Sequence, residues 1–262
     1  MKLSSPNINI MVKACRKAAK TLIRDFGEIE KLQVSIKGPG DFVSAADKRV
    51  EKIIIDDLAK ARPNYSIISE ESGKIRNDEA NKWIIDPIDG TSNFLHGIPH
   101  FAISIGLEQN NEIICGILYD PIKDEMFAAE KGNGSYLNNK RIRVSARSKL
   151  DNSLIVTGGP KMLSKNREFA FESYKKFSSE VFIPIRKMGS AALDMAYVAA
   201  GRFDGFWQRD LNYWDIAAGI IIVKEAGGYI SDFKGNNDYI QNQTILASNS
   251  KIHEEMIKVL KN

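Results

Sequence analysis

The stretch from Trp83 to Phe94, WIIDPIDGTSNF, constrains this chain more than any other. Trp83-Ile84-Ile85 is a short apolar run of the kind that makes a buried strand. Asp86 falls where that strand is expected to end. Pro87 has no backbone N–H and fixes its own φ, so a turn should begin there. Asp89-Gly90 suits a tight turn, and Thr91 is placed to cap a short helix running toward His96. Two carboxylates three residues apart on a rigid turn can point at one spot. There they repel unless a cation lies between them. The bland alternative is a solvated acidic turn, but a strand feeding Asp-Pro-x-Asp-Gly-Thr is richer than an acidic pair alone.

With 262 residues, the chain can bury a large core as one big domain or two small ones. Its 43% hydrophobic and 27% charged content is ordinary for a soluble globular protein. No apolar run approaches the roughly 20 residues that span a bilayer, so no membrane partner is expected. The opening MKLSSPNINI lacks an apolar signal core, which predicts no export. Two cysteines, Cys15 and Cys115, are too few and too far apart for a disulfide framework, and both fall at apolar positions. A reducing cytoplasm fits. Net charge is +4, and Lys13, Lys17, Lys20 and Arg24 recur at helical spacing as a basic stripe. Such a stripe is usually a solvated face, and a nucleic-acid surface would add aromatic platforms or a binding motif that are missing here.

Apolar periodicity predicts an amphipathic helix over about Asn7 to Phe26, with Ile8, Met11, Cys15, Ala18, Ala19, Leu22 and Phe26 on one side. A second helix is expected from Ser44-Ala45-Ala46-Asp47 to just before Pro63. Ser44 and Asp47 form a capping-box-like pair that gives Asp47 a purely structural role. Ser66 to Ser69 reads as a short strand delivering Glu70. After the central motif, strands at Phe101–Leu107, Ile113–Tyr119, Met126–Ala129 and Ser135–Val144, the last broken by Asn138-Asn139, suggest an antiparallel meander. Helix and strand then alternate: strands at Leu154–Thr157, Val181–Arg186, Phe203–Gln208, Tyr229–Ser231 and Thr244–Ala247; helices at Glu168–Phe177, Ala191–Ala200, Trp214–Ala226 and Ile252–Leu260. Gly227-Gly228 should stop the third of those helices. An antiparallel half (about 1–148) and an alternating half (about 149–262) predict two sheets layered with helices. No linker rich in Pro, Gly or Ser divides them, so a single fused unit over 1–262 is expected, with the cleft between halves.

The central stretch, together with Ser69-Glu70-Glu71-Ser72 upstream and Tyr213-Trp214-Asp215 running into Glu225-Ala226-Gly227-Gly228, resembles the signatures of the inositol monophosphatase family of sugar-phosphate phosphatases. The resemblance covers essentially the whole chain. Through Gly189-Ser190-Ala191-Ala192-Leu193-Asp194 and Ala199-Ala200-Gly201-Arg202, it looks closest to the bacterial extragenic suppressor branch. It implies a layered αβαβα sandwich, a homodimer and inhibition by lithium.

The candidate ligands Glu70, Asp86, Asp89 and Asp215, with the Ile88 carbonyl, are all oxygen donors. Such a set selects magnesium, manganese or calcium over zinc. Of Glu70 and Glu71, one should be a ligand, and the family's spacing favours Glu70. By resemblance, Glu70, Asp86 and the Ile88 carbonyl hold one Mg2+ and Asp86, Asp89 and Asp215 a second, two or three ions per site in all. Asp215 has a structural alternative as a dipole-stabilising acid in the first turn of its helix. The resemblance also implies that Thr91 orients a water with Asp47 accepting from its hydroxyl, and Glu70 could share general-base work. Gly90 and Thr91 offer N–H groups to phosphate. Gly189, Ser190 and Ala191 match a loop that touches the sugar. Gln208 stands where the family usually has a Glu that binds sugar hydroxyls; the amide can bond them but without charge assistance. Asp210 is a possible substitute. Lys37 lies near a basic position of the family but its loop is one residue short. His96, His100 and His253 are scattered and read as surface or structural. The expected reaction is Mg2+-dependent hydrolysis of a phosphate monoester, inositol 1-phosphate first. Fructose 1,6-bisphosphate, histidinol phosphate and a phosphoadenosine nucleotide are alternatives. So is a partner-binding role in RNA or transcription machinery.

Overall fold

Ser5 opens the first helix: its hydroxyl accepts from Ile8 N at 3.3 Å, and Pro6 follows where a missing N–H costs nothing. The structure is a computed structural model that describes residues 5–29, 34–38, 41–75, 80–159, 167–180 and 183–261. The elements run in order as α1 (Pro6–Phe26), β1 (Val34–Gly38), β2 (Asp41–Ser44), α2 (Ala45–Ala61), β3 (Ser66–Ser69), β4 (Gly73–Ile75), β5 (Asn81–Asp89), α3 (Thr91–Leu95), β6 (Ala102–Gln109), β7 (Glu112–Asp120), β8 (Glu125–Glu130), β9 (Gly134–Leu137) and β10 (Lys140–Arg141). There follow β11 (Ile155–Thr157), α4 (Arg167–Lys175), β12 (Ile185–Arg186), α5 (Ala191–Ala199), β13 (Gly205–Arg209), α6 (Tyr213–Glu225), β14 (Gly228–Ser231), β15 (Thr244–Asn249) and α7 (His253–Lys261).

Strands β6 to β10 form the expected antiparallel meander, and β5 extends it by pairing antiparallel with β6. β3 joins its far edge parallel to β5, and β4 completes the order β10-β9-β8-β7-β6-β5-β3-β4. The second sheet is mixed, in the order β12-β11-β13-β15-β14. Side chains alternate across β7 and β8 as strand geometry requires. Cys115, Ile117, Tyr119, Met126 and Ala128 pack toward α1 and α2; Leu118, Phe127 and Ala129 pack toward α5 and α6. A third apolar cluster, with Ile155, Trp207, Leu246, Ile252 and Met256, lies between the second sheet and α7. Five layers result: α1/α2, the large sheet, α5/α6, the small sheet, and the outer helices α4 and α7. This is the predicted αβαβα sandwich.

Two glycines set the spacing of the middle layers. Gly106 and Gly116 stand opposite each other on β6 and β7, under α6. A Cβ on Gly106 would lie 3.1 Å from Ala217 Cβ, and one on Gly116 would lie 2.7 Å from the Ala218 carbonyl oxygen. Backbone and sheet meet at the closest approach that side-chain-free positions allow.

Three expectations need correction. β5 does not stop at Pro87 but continues to Asp89, because a bulge between Asp86 and Asp89 absorbs the residue that cannot donate. The strand expected over Val181–Arg186 is, among the described residues, only Ile185–Arg186. The helix at Arg167–Lys175 ends in a wider π turn, Lys176–Glu180, that turns Phe177 into the third cluster. The side chains of Ser44 and Lys37, and with them the expected capping box, lie outside the described residues. Asn138 and Asn139 both have positive φ, which fits the two-residue hairpin between β9 and β10.

Cys15 and Cys115 are buried and free, and burial pushes the Cys115 thiol up to about 12, so neither is a reactive thiol. No helix of the described residues is long and apolar enough to cross a membrane. On the solvent side of α1, Lys17 pairs with Asp57 at 2.6 Å and Arg24 with its neighbour Asp25 at 3.0 Å.

His253 is enclosed, with Nε2 2.9 Å from Ser231 Oγ and Nδ1 2.7 Å from Ser248 Oγ. His100 is enclosed edge-on to Tyr197. Burial lowers both from 6.5 to about 4. The unfolded chain therefore takes up protons below pH ~6.5 that the folded one refuses until about pH 4. Stability should fall across that window, by ~1–2 kcal/mol per histidine once solvent screening is allowed for. Chemical denaturation between pH 7.5 and 4.5 checks this: a His253→Asn variant should show a shallower decline, and an equal slope would refute the assignment.

Candidate metal centre

Three buried segments converge on one corner. The apolar core of β5, Trp83-Ile84-Ile85, is wholly inaccessible and carries Asp86 in with it at 1% exposure. Asp86 Oδ1 accepts from Ile88 N at 3.0 Å, closing a tight loop over Pro87. That loop turns Asp89 back toward the same side. Gly90 then takes φ 94°, and a Cβ there would lie 3.1 Å from the His100 carbonyl oxygen and 3.3 Å from that of Gly189, so only glycine fits. Gly90, not Thr91, is the N-cap of α3. Thr91 is the first helical residue, and its hydroxyl donates to the Ile88 carbonyl at 2.8 Å.

Asp89 is received by the start of α5. Ser190 caps that helix by accepting from Leu193 N at 3.2 Å, and its hydroxyl donates to Asp89 Oδ2. Ala192 N donates to the same oxygen at 2.9 Å. Asn93 staples the two segments, its Nδ2 donating to the His100 and Met188 carbonyls at 2.8 Å each. Asp215 arrives from the opposite side at the third position of α6, where its Oδ2 accepts from Asn212 N at 2.8 Å in a capping box. The structural role weighed for Asp215 is thus real, but one carboxylate can do both.

Carboxylate oxygens of Asp86, Asp89 and Asp215 lie within 4.8 Å of one another, all buried. Burial, and then the neighbouring charges of Glu70, Asp89, Asp215 and Asp47, hold Asp86 well above the ordinary carboxylate range. Glu70 and Asp47 therefore face this corner too, although Glu70 stands outside the tight trio. An all-oxygen, mutually repelling buried set is what a hard divalent cation relieves, and the donors fit one. The Ile88 carbonyl points into the same turn, and accepting from Thr91 leaves it a second lone pair. The expected hydrogen bond from Thr91 to Asp47 is not the one its hydroxyl makes here; the proton goes to Ile88.

The remaining predicted residues divide. Gly189, Ser190 and Ala191 lie at the corner through Asn93, Asp89 and the start of α5. Gln208 lies on β13 against Gly158. Sequence reasoning missed Glu51. It is 2% exposed, accepts from Glu71 N at 2.9 Å and from the Ser72 hydroxyl, and so holds the turn that presents Glu70. Its signal was present: an acid one helical turn after Asp47, on the apolar side of α2. Asp194 was also passed over. It is fully buried in the first turn of α5, its carboxylate has no hydrogen-bond partner among the described residues, and burial with the Asp89 charge raises it well above its usual range.

The inositol monophosphatase family matches residues 4–262. The inositol-1-monophosphatase of Mesorhizobium japonicum is 46% identical over 255 residues, 97% of this chain and 96% of that protein. The Nus factor SuhB of Escherichia coli K12 is 40% identical over 256 residues, 96% of this chain and 94% of that protein. Among solved structures, the extragenic suppressor protein suhB of Bartonella henselae superposes with a TM-score of 0.95 at 47% identity, covering 98% of this chain and 99% of that one. The IMPase of Thermotoga maritima does so at 0.89 and 37%, covering 98% and 97%. Fold, acidic corner and relatives agree, and this chain belongs to the inositol monophosphatase family.

Proposed function

We propose that this protein is a magnesium-dependent phosphomonoester hydrolase that releases phosphate from a polyol ester such as inositol 1-phosphate, acting over 1–262 as one unit in the cytoplasm, as a homodimer. The observation that carries the reading is the buried trio Asp86, Asp89 and Asp215, with oxygens within 4.8 Å of one another. Glu70, Asp86 and the Ile88 carbonyl would hold one ion; Asp86, Asp89 and Asp215 a second. Bound there, such ions neutralise phosphate charge and make water more acidic. With its proton on the Ile88 carbonyl, Thr91 Oγ1 accepts from a water and fixes its orientation. Glu70, backed by Glu51 through the Glu71-Ser72 turn, takes the proton that the water gives up, and Asp47 adds negative charge that favours that transfer. The water oxygen bonds to phosphorus, the ester P–O bond breaks, and the proton taken up by Glu70 is passed through solvent water to the leaving polyol oxygen; no covalent enzyme intermediate forms. Gly90 and Thr91 N–H groups and the Gly189-Ser190-Ala191 segment position the ester, and Gln208 reaches its far end.

Phosphate release from inositol 1-phosphate is expected with Mg2+, lost on chelation and inhibited by millimolar lithium. Silence toward inositol 1-phosphate, fructose 1,6-bisphosphate, histidinol phosphate and a phosphoadenosine nucleotide alike would overturn the reading. A second reading, partner binding in transcription machinery, is favoured by the 40% identity to a protein named Nus factor SuhB. Exposed Lys13, Lys17, Lys20 and Arg24 on α1 are the basic surface for it. Replacing them would then abolish a pull-down and leave turnover intact.

A further inference from the structure

We infer that Tyr213 is a positioning residue for the second ion: bonded to a nearly buried Lys82–Glu108 pair, it fixes where the first turn of α6 stands and so where Asp215 meets Asp86 and Asp89. This rests on the phosphatase reading above and names what sets the ligand spacing of its site.

The support is built on strand register. Across β5 and β6, Lys82 stands opposite Glu108, Ile84 opposite Gly106 and Asp86 opposite Ser104. Alternation puts all six on one face of the sheet. That face carries α6, because a Cβ on Gly106 would lie 3.1 Å from Ala217 Cβ. The row under the helix thus runs from the acidic corner at Asp86 and Ser104, across a glycine, to a charged pair at Lys82 and Glu108. Four residues of strand, ~13 Å, separate its ends.

The first turn of α6 is bonded to both ends of this row. Ser104 Oγ donates to the Trp214 carbonyl at 3.4 Å, and the Tyr213 hydroxyl donates to Glu108 Oε2. Lys82 Nζ donates to the other oxygen, Oε1, at 2.6 Å. With side chains only 15% and 8% exposed, Lys82 and Glu108 give up solvation that their attraction does not fully return. A buried pair of this kind is better suited to fixing register than to adding stability. What it holds is Tyr213, a stiff ring at the first position of α6, two residues before Asp215.

Asp215 needs that support. Its capping bond, from Asn212 N to Oδ2 at 2.8 Å, fixes the carboxylate to its own helix but not to the sheet. Gly106 and Gly116 bring the helix close without giving it a side chain to lock against, so they limit approach better than sliding. The bond from Tyr213 to β6 supplies the missing constraint along the strands. Mg2+ demands near-ideal geometry at ~2.1 Å, so a small slip of Asp215 lowers its affinity. Glu70, Asp86 and the Ile88 carbonyl all precede β6 in the chain and take no support from α6. The effect therefore falls on one ion of the two.

The test is calorimetric titration of Mg2+ into the metal-free protein, comparing wild type, Tyr213→Phe and Glu108→Gln. Wild type should bind in two steps, and Tyr213→Phe should weaken one of them about tenfold while leaving the other unchanged. Glu108→Gln, whose amide oxygen still accepts from Tyr213, should keep both affinities. Uptake of a single ion by wild type overturns the inference, as does Tyr213→Phe weakening both steps equally or neither. A Tyr213→Phe protein that melts lower in chelator with both affinities intact belongs to that last case, and reduces the bond to a structural one. Glu108→Gln weakening one step as much as Tyr213→Phe also overturns it, by placing the effect in the charge. Phosphate release from inositol 1-phosphate, followed on the same samples, reads the hydrolase assignment separately. There Tyr213→Phe should need more Mg2+ for half its full rate and keep that full rate. Loss of one binding step without turnover in any sample would keep the positioning role and remove the enzyme.

Discussion

Asp86→Asn is expected to reduce phosphate release by a factor on the order of a thousand and, at the same time, to raise the melting temperature of the metal-free protein. The two effects share a cause. Asp86 is 1% exposed and surrounded by the charges of Glu70, Asp89, Asp215 and Asp47. Without a cation, each of these disfavours its ionised form. Asparagine keeps the shape and can still accept from Ile88 N, a bond of 3.0 Å in wild type, while the repulsion disappears. A gain of a few degrees follows for a chain this size. Added Mg2+ should reverse the ranking. It stabilises wild type by binding the native state and leaves Asp86→Asn unmoved.

The pH dependence has a definite sign. The folded pKa of Asp86 is raised above its ordinary 3.8, so the metal-free native state holds a proton that the unfolded chain releases. Stability is lost as pH rises above 3.8 toward the folded value, and the variant lacks this loss. Differential scanning calorimetry with and without Mg2+ checks all of this. A variant less stable than wild type in chelator would show that the corner is held by hydrogen bonds and not strained by charge.

The second large effect is on packing. Gly116→Val should cost at least ~3 kcal/mol, drop the melting temperature by roughly 10 °C and abolish Mg2+ binding. The first added atom already meets the Ala218 carbonyl oxygen at 2.7 Å and the Ala218 Cα at 3.0 Å. These are backbone atoms inside a helix and cannot rotate away, so α6 must lift from the sheet. Asp215 is carried on the first turn of that helix and moves with it. Its oxygens then leave the 4.8 Å grouping with Asp86 and Asp89, and a ligand distance of ~2.1 Å tolerates little displacement. Calorimetric Mg2+ titration of the soluble fraction reads the second half of this. Wild-type Mg2+ affinity in a destabilised Gly116→Val protein would show that Asp215 is seated by its capping box with Asn212 alone.

Much of the sandwich was legible because its signals are local. The apolar runs of β7 and β8, the apolar stripe of α1 and the Asn-Asn hairpin each sit within one stretch of chain. Pro87 misled because a missing N–H argues for a strand end, whereas a bulge satisfies the same constraint inside the strand. Thr91 misled because its residue type suits a cap, but the positive φ required one residue earlier can be met only by Gly90. The Asp86/Asp89 pair was legible from its spacing on a turn, and Asp215 joined it only through the resemblance to the family's signatures. What no local pattern shows is which distant segments support them. Glu51 reaches the Glu70 turn across a gap of twenty residues, and Tyr213 meets Glu108 only because α6 packs across β6.

The position of α6 also sets a timetable. Asp86 and Asp89 belong to the first sheet, which can pair its meander as soon as residues up to about 141 are available. Asp215 is supplied by a helix sandwiched between that sheet and strands that come afterwards in the chain. A ribosome-bound fragment lacking it would expose the two earlier aspartates with no third arm to close around an ion. Ion capture therefore cannot template the early steps of folding and instead locks a structure whose sheets have already met, so that Mg2+ should slow unfolding much more than it speeds refolding.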